Sequence, residues 1–213
     1  MISIEGFVLA GGQSSRMGRD KASLQLGGQS LVERSAKTLS KVTTHVTVVG
    51  DLDDRTVSWK VVPDIHSGTK ARGSIVGLYS ALYYSTTDWS AILACDLPFA
   101  NAELFSYLIS HIPHTCSATE SNIGALLLEQ PDGRIQPLCG LYHRKRCIEP
   151  IKEMLSQGKW RLQDLPDVIN ARLIRFAEIS HLPASGHIFD NLNTYDEYLA
   201  SLATENKLKT NDI

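Results

Sequence analysis

Four short apolar runs, each closing on a glycine or an acid, constrain this chain more than anything else in it. Residues 4–10 run into Gly11, and 45–49 stop at Gly50-Asp51. Residues 59–62 stop at Pro63-Asp64, and 91–94 stop at Cys95-Asp96-Leu97-Pro98. Short continuous apolar runs suit strands buried on both faces of a parallel sheet. Helical patterns separate them. The first, 30–39, opens on Ser30 with Glu33 three residues later, the spacing of a capping box. The second, 74–84, carries Ile75, Leu78, Tyr79 and Leu82 at helical spacing, and the third, 101–109, is capped by Asn101. Strand and helix in alternation predict an α/β fold, with a doubly wound, mostly parallel sheet flanked by helices in three layers.

The second half is less regular. Residues 124–129 and 135–142 read as strands around the turn Pro131-Asp132-Gly133. Residues 144–157 read as a helix ending at Gly158, 171–179 as a strand, and 195–203 as a last helix capped by Asn193-Thr194. The expected organisation is one domain over 1–205 and a frayed, polar tail over 206–213. In such sheets ligands sit at the carboxyl ends of the strands. Gly11, Gly50, Asp64 and Asp96 stand there, so the pattern already places a ligand among glycines and acids.

Composition narrows the partners. The net charge is −2, which excludes a polybasic whole-protein surface and argues against nucleic acid as the partner. No apolar run approaches the roughly 18–20 residues that span a bilayer, so no membrane is expected. The start, Met1-Ile2-Ser3-Ile4-Glu5-Gly6, has no basic region ahead of an apolar core, and a cytoplasmic address follows as the expectation. Cys95, Cys116, Cys139 and Cys147 form no C-x-x-C pair and read as reduced, packed thiols.

The segment richest in chemistry is Leu9-Ala10-Gly11-Gly12-Gln13-Ser14-Ser15-Arg16-Met17-Gly18-Arg19-Asp20-Lys21. Its glycines let backbone approach a ligand closely, and free N–H groups in such a turn can hold phosphate oxygens. Arg16 and Lys21 bring the positive charge that a triphosphate needs. The spacing is neither a Walker A loop nor G-x-G-x-x-G. Asp96, between a buried strand and Leu97-Pro98, offers one carboxylate. Mg²⁺ takes one or two carboxylates and completes its shell with phosphates and water. Asp64 has a weaker claim, since Pro-Asp after a strand is also an ordinary turn.

This segment resembles the L-A-G-G-x-S-x-R-M-G-x-D-K motif of the molybdenum cofactor guanylyltransferases, in the nucleoside-triphosphate transferase superfamily with its Rossmann-like fold. Further blocks follow in the family's order: Val61-Val62-Pro63-Asp64, Gly73-Ser74-Ile75-Val76-Gly77-Leu78, Ala94-Cys95-Asp96-Leu97-Pro98, Gln136 to Tyr142, and Asn191-Leu192-Asn193-Thr194. Ser74 stands where the family usually has proline, which is optional pre-organisation at a helix start. Val49 stands where asparagine is frequent, leaving a base or ribose contact to Gly50 or Asp51. The related cytidylyltransferases usually carry alanine where Gly11 stands. A missing Cβ leaves more room, so Gly11-Gly12 favours guanine over cytosine.

The resemblance implies transfer of GMP from GTP to molybdopterin-bound molybdenum cofactor, with release of pyrophosphate. It implies Arg16, Lys21 and Asp96 as catalytic groups, with Asp96 holding Mg²⁺. It also implies Leu9, Ala10, Gly11, Gly12, Lys21, Asp64 and Asp96 around the nucleotide. Asn191 and Asn193 are candidates for contacts to the second substrate or to a metal-bound water, with helix capping the equal alternative. The partners implied are GTP, molybdopterin and, transiently, cofactor-insertion proteins or molybdoenzymes. Two other readings stay open: a cytidylyl- or sugar-phosphate nucleotidyltransferase, and a non-catalytic nucleotide-binding carrier of the cofactor.

Overall fold

The computed structural model describes residues 2–11, 24–52, 57–65, 73–113 and 122–211. The chain runs β1 (Ile4–Leu9), β2 (Gln25–Leu26), β3 (Gln29–Ser30), α1 (Leu31–Ser40), β4 (His45–Val49), β5 (Lys60–Val62), α2 (Ser74–Tyr84), β6 (Trp89–Ala94) and α3 (Ala102–Ser110). It continues with β7 (Ala125–Glu129), β8 (Ile135–His143), α4 (Arg144–Ser156), α5 (Leu165–Val168), β9 (Ala171–Arg175), α6 (Phe176–Ile179) and α7 (Tyr195–Asn211).

Seven strands form one sheet in the order β5-β4-β1-β6-β8-β7-β9, and β2 pairs with β3 as a separate hairpin. Six strands of the large sheet run one way and β8 alone runs against them. A five-residue connection joins β7 to β8, too short for a parallel crossover. Gly133, at φ 80, closes that turn, and Asp132 accepts from the Arg134 backbone at 3.1 Å. One apolar core on one face of the sheet gathers Leu31, Val32, Ala36 and Leu39 of α1 with Leu104, Phe105 and Leu108 of α3. The core on the other face gathers Ile75, Leu78 and Leu82 of α2 with Ile151, Met154 and Leu155 of α4. This is the doubly wound, three-layer arrangement that the alternation predicts.

The caps follow the sequence closely. Ser30 Oγ accepts from Glu33 N–H at 3.2 Å, and Asn101 Oδ1 accepts from Leu104 N–H at 2.8 Å. The Glu33 carboxylate does not turn back to the cap. It accepts instead from Ser58 N–H at 2.9 Å and Trp59 Nε1–H at 3.2 Å, holding the β4–β5 connection to α1. Cys95, Cys139 and Cys147 are buried, Cys116 lies outside the described residues, and burial pushes the Cys139 thiol up to about 12. No helix among the described residues is long and apolar enough to cross a membrane.

Two expectations need correction. The run 171–179 is not one strand: β9 ends at Arg175 and α6 begins at Phe176. Glu178 Oε1 accepts from Arg175 N–H at 2.8 Å, which turns the chain into a helix and leaves Ile179 fully buried. The last helix does not end at 203 either: α7 continues to Asn211. Its later turns are tied down by the Glu205 carboxylate, which pairs with Arg34, and by Leu208, which packs against the core.

Gly140 lies in β8 opposite Leu127 of β7. A Cβ there would stand 2.5 Å from Leu126 O and 2.9 Å from the Leu127 side chain. Gly140→Ala is expected to destabilise the fold by about 1–3 kcal/mol, the usual cost of overpacking a sheet interior. Urea unfolding measures it, and an unchanged midpoint contradicts this packing.

Candidate active site

Leu9 pairs in register with both Val49 and Ala94, and Val49 pairs with Val62. Four parallel strands therefore end level. Backbone bonds extend the match one residue further. Gly50 N–H donates to Val62 O at 3.0 Å, Ala10 N–H to Val49 O at 2.9 Å, and Cys95 N–H to Leu9 O at 3.1 Å. Gly11, Asp64 and Asp96 each stand two residues past a strand end, so all three leave the sheet at one edge.

On one side, glycines make room for a carboxylate. Gly50 sits at φ 148, and a Cβ there would lie 3.0 Å from Gly11 N and 3.1 Å from the Ala10 carbonyl carbon. A Cβ at Gly11 would lie 3.1 Å from Asp64 Oδ2, and one at Gly77 would lie 3.7 Å from Asp64 Oδ1. The half-buried Asp64 carboxylate thus occupies the space beside two bare Cα positions. The room that Gly11 opens on its Cβ side is room for Asp64, not directly for a larger base. Ile65 N–H donates to Ser80 Oγ at 2.7 Å, and this buried hydroxyl donates to Val76 O at 2.7 Å. These bonds pin the Asp64 segment to α2.

On the other side, Asp96 is half-buried, and its carbonyl accepts from Leu192 N–H at 3.0 Å. That bond lays the 191–193 segment beside Asp96. Asn191 Oδ1 is buried and has no hydrogen-bond partner among the described residues. Helix capping, an alternative role for Asn193, falls to Thr194. Its Oγ1 accepts from Glu197 N–H at 3.2 Å, while Glu197 Oε2 accepts from Asn193 N–H at 2.6 Å and Thr194 N–H at 2.8 Å.

The other expected residues divide in two. The Leu9 side chain is buried in the core and offers only backbone to a ligand; Ala10 is half-buried and Gly11 exposed. Gly12, Arg16 and Lys21 lie outside the described residues. The Val49 side chain is fully buried, so the asparagine-like contact weighed for that position is not available from it. Ser80 and Arg34 escaped the sequence reading. Arg34 Nε donates to Pro98 O at 2.6 Å, two residues beyond Asp96. Nothing local marks Arg34, because its partners lie 64 and 171 residues away.

Among the described residues, no group of three His, Cys, Asp or Glu side chains could cage a metal ion. The donors here are hard oxygens, the Asp96 carboxylate with the Asn191 amide oxygen in the neighbouring segment. That set fits an ion which keeps water and phosphate in its shell rather than an all-protein cage.

A mostly parallel, doubly wound sheet takes its ligands at the carboxyl ends of its strands, where these glycines and carboxylates stand. Residues 6–171 match the model of the MobA-like NTP transferase domain, and the chain belongs to that family. It is 30% identical to a Bacillus cereus (strain AH820) protein named probable molybdenum cofactor guanylyltransferase, over 93% of this chain and 96% of that one. Among solved structures it is similar to molybdopterin-guanine dinucleotide biosynthesis protein A from Archaeoglobus fulgidus. That match has a TM-score of 0.76 at 20% identity and covers 95% of this chain and 99% of the other. It is also similar in fold to a nucleotidyl transferase from Methanothermobacter thermautotroptrophicus, with a TM-score of 0.67 at 17% identity, over 96% of this chain and 98% of the other.

Gly50→Ala places a side chain against the Ala10–Gly11 backbone at a φ that favours glycine. The expected result is a loss of about 1–3 kcal/mol in denaturant unfolding together with weaker GTP binding by calorimetric titration. Unchanged stability and affinity contradict the close approach of Gly50 to Gly11.

Proposed function

We propose that this protein transfers GMP from GTP to molybdopterin-bound molybdenum cofactor. A terminal phosphate oxygen of the pterin substrate attacks the α-phosphorus of GTP. The bond from that phosphorus to the α–β bridging oxygen breaks, and pyrophosphate leaves with the bridging oxygen and its electrons. The attacking phosphate is already ionised near neutral pH, so no strong general base is needed. Positioning and charge neutralisation account for the rate.

In this reading the backbone of Leu9, Ala10, Gly11 and Gly12 lines the nucleotide. The Asp64 carboxylate, seated between Gly11 and Gly77, faces its ribose and base. Arg16 and Lys21 hold the triphosphate and stabilise charge growing at the α-phosphate and leaving group. Asp96 would hold Mg²⁺, which when bound supplies neutralising charge to the phosphate oxygens. Asn191 and Asn193 serve the pterin substrate or a water on the metal. The observation that carries the proposal is the meeting of Gly11, Gly50 and Asp64 on one side of β1, with Asp96 and the 191–193 segment on the other. The family membership and the names of the relatives support it.

The test is pyrophosphate release from purified protein with molybdopterin and Mg²⁺, run with GTP and with CTP. GTP is expected to be the better substrate. Asp96→Asn is expected to lower turnover at least about a hundredfold, or ~2.7 kcal/mol, with the fold intact by circular dichroism. Preference for CTP would transfer the assignment to the cytidylyl reaction. Binding of GTP without pyrophosphate release would make the protein a carrier, and near-normal turnover in Asp96→Asn would remove the metal role.

A further inference from the structure

The segment after β6 is held more firmly than a strand-end turn requires. Leu97 N–H donates to Ala94 O at 3.2 Å, and Ala100 N–H to Leu97 O at 3.3 Å. Two side chains one turn apart on α1 reach it from the side. Arg34 Nε donates to Pro98 O at 2.6 Å, and Thr38 Oγ1 to Ala100 O at 3.5 Å. The Arg34 guanidinium also lies over the Phe99 ring, 5.8 Å from its centroid.

The rest of the guanidinium is committed to the last helix. Nη1 donates to Glu205 Oε1 at 3.1 Å, and Nη2 pairs with Glu205 Oε2 at 2.8 Å. The Glu205 side chain is 9% exposed and that of Arg34 is 25% exposed. A planar fork with two oxygens on one edge and a third donor on Nε fixes direction as well as distance. Helix α7 is tied a second time near its start, where Tyr198 OH donates to Gln25 O at 2.8 Å. Its N-terminal lead, at Leu192, bonds Asp96 itself. The last helix therefore reaches Asp96 by two routes: directly through Leu192, and through Glu205, Arg34 and Pro98.

We infer that Arg34 is a positioning residue for Asp96: with its Nε on the Pro98 carbonyl and its outer nitrogens on Glu205, it sets the direction in which the Asp96 carboxylate presents itself to a divalent cation. The inference rests on the proposed role of Asp96 in holding that cation. Arg34 touches neither substrate nor cation in this account. A neighbour that orients a ligand without touching the metal commonly changes metal affinity or activity by 10–100-fold.

Arg34→Lys keeps the charge opposite Glu205 but cannot serve Pro98 and both Glu205 oxygens at once. Glu205→Gln keeps the shape and weakens the hold on Arg34, and serves as the second variant if Arg34→Lys folds poorly. Three readouts apply to the full chain. Mn²⁺ binding, followed by electron paramagnetic resonance in the presence of GTP, is expected to weaken about tenfold or more in Arg34→Lys. Hydrogen exchange is expected to quicken in the peptides covering 95–100 and 191–193, with the β1 and β4 amides unchanged. Turnover is expected to fall by a similar factor while KM for GTP stays within about twofold. Glu205→Gln is expected to move all three in the same direction by less.

Wild-type Mn²⁺ affinity and wild-type exchange at 95–100 in both variants overturn the inference. So does exchange that quickens throughout the sheet, since that marks Arg34 as a support of the whole fold only. Asp96→Asn is run alongside. If it keeps Mn²⁺ affinity and turnover, the reading of the site itself has failed. If it loses both while Arg34→Lys and Glu205→Gln lose neither, only the positioning role has failed.

Discussion

The levelled ends of β5, β4, β1 and β6 are the constraint on which the candidate site depends. Parallel pairing sets Leu9 against Val49 and Ala94, and Val49 against Val62. Within the next two residues of each strand stands a glycine or an aspartate. Side chains alternate faces along a strand, so a slip of one residue would carry Asp64 or Asp96 to the opposite face. The fully buried Val8, Val48 and Leu93 on one face and Ile92 on the other pack into the two cores, and that close packing holds the register. Hydrophobic burial in the sheet interior thereby becomes accuracy at its edge.

The two acids at that edge are held by different means. Asp64 owes its position to missing atoms: Gly11 and Gly77 bring no Cβ, and the carboxylate fills the space beside them. Asp96 owes its position to added bonds, from Leu192 to its carbonyl and from Arg34 to Pro98 beyond it. The first arrangement suits a group that lies close against a ligand and a strand together. The second suits a group whose direction matters, as it does for a ligand to a hard cation. The proposed division, nucleotide contact at Asp64 and magnesium at Asp96, follows that difference.

Much of this was legible in the sequence because it is local. A short apolar run before glycine or aspartate marked the carboxyl edge, and Ser30 and Asn101 marked helix starts through bonds three residues away. What stayed hidden depends on partners distant along the chain. Arg34 reads as one more exposed helix charge until Glu205 and Pro98 are brought to it, and Ser80 reads as a core serine until Ile65 arrives. The extension of α7 was missed because residues 206–211 are mostly polar, while Glu205 and Leu208 tie the later turns down. Residues 171–179 misled because no glycine or proline separates β9 from α6, and the break comes from the Glu178 carboxylate turning back on Arg175. At Gly11 the reason read from the sequence was incomplete. The bare Cα matters, but what enters the space is Asp64.

The most direct measurement is a crystal structure of the protein with GTP and magnesium. The account predicts the triphosphate along the segment that begins at Gly11, the nucleoside beside Gly50 and Asp64, and the metal on Asp96 with phosphate oxygens and water completing its shell. Nucleotide bound elsewhere, with Asp64 and Asp96 untouched, contradicts it.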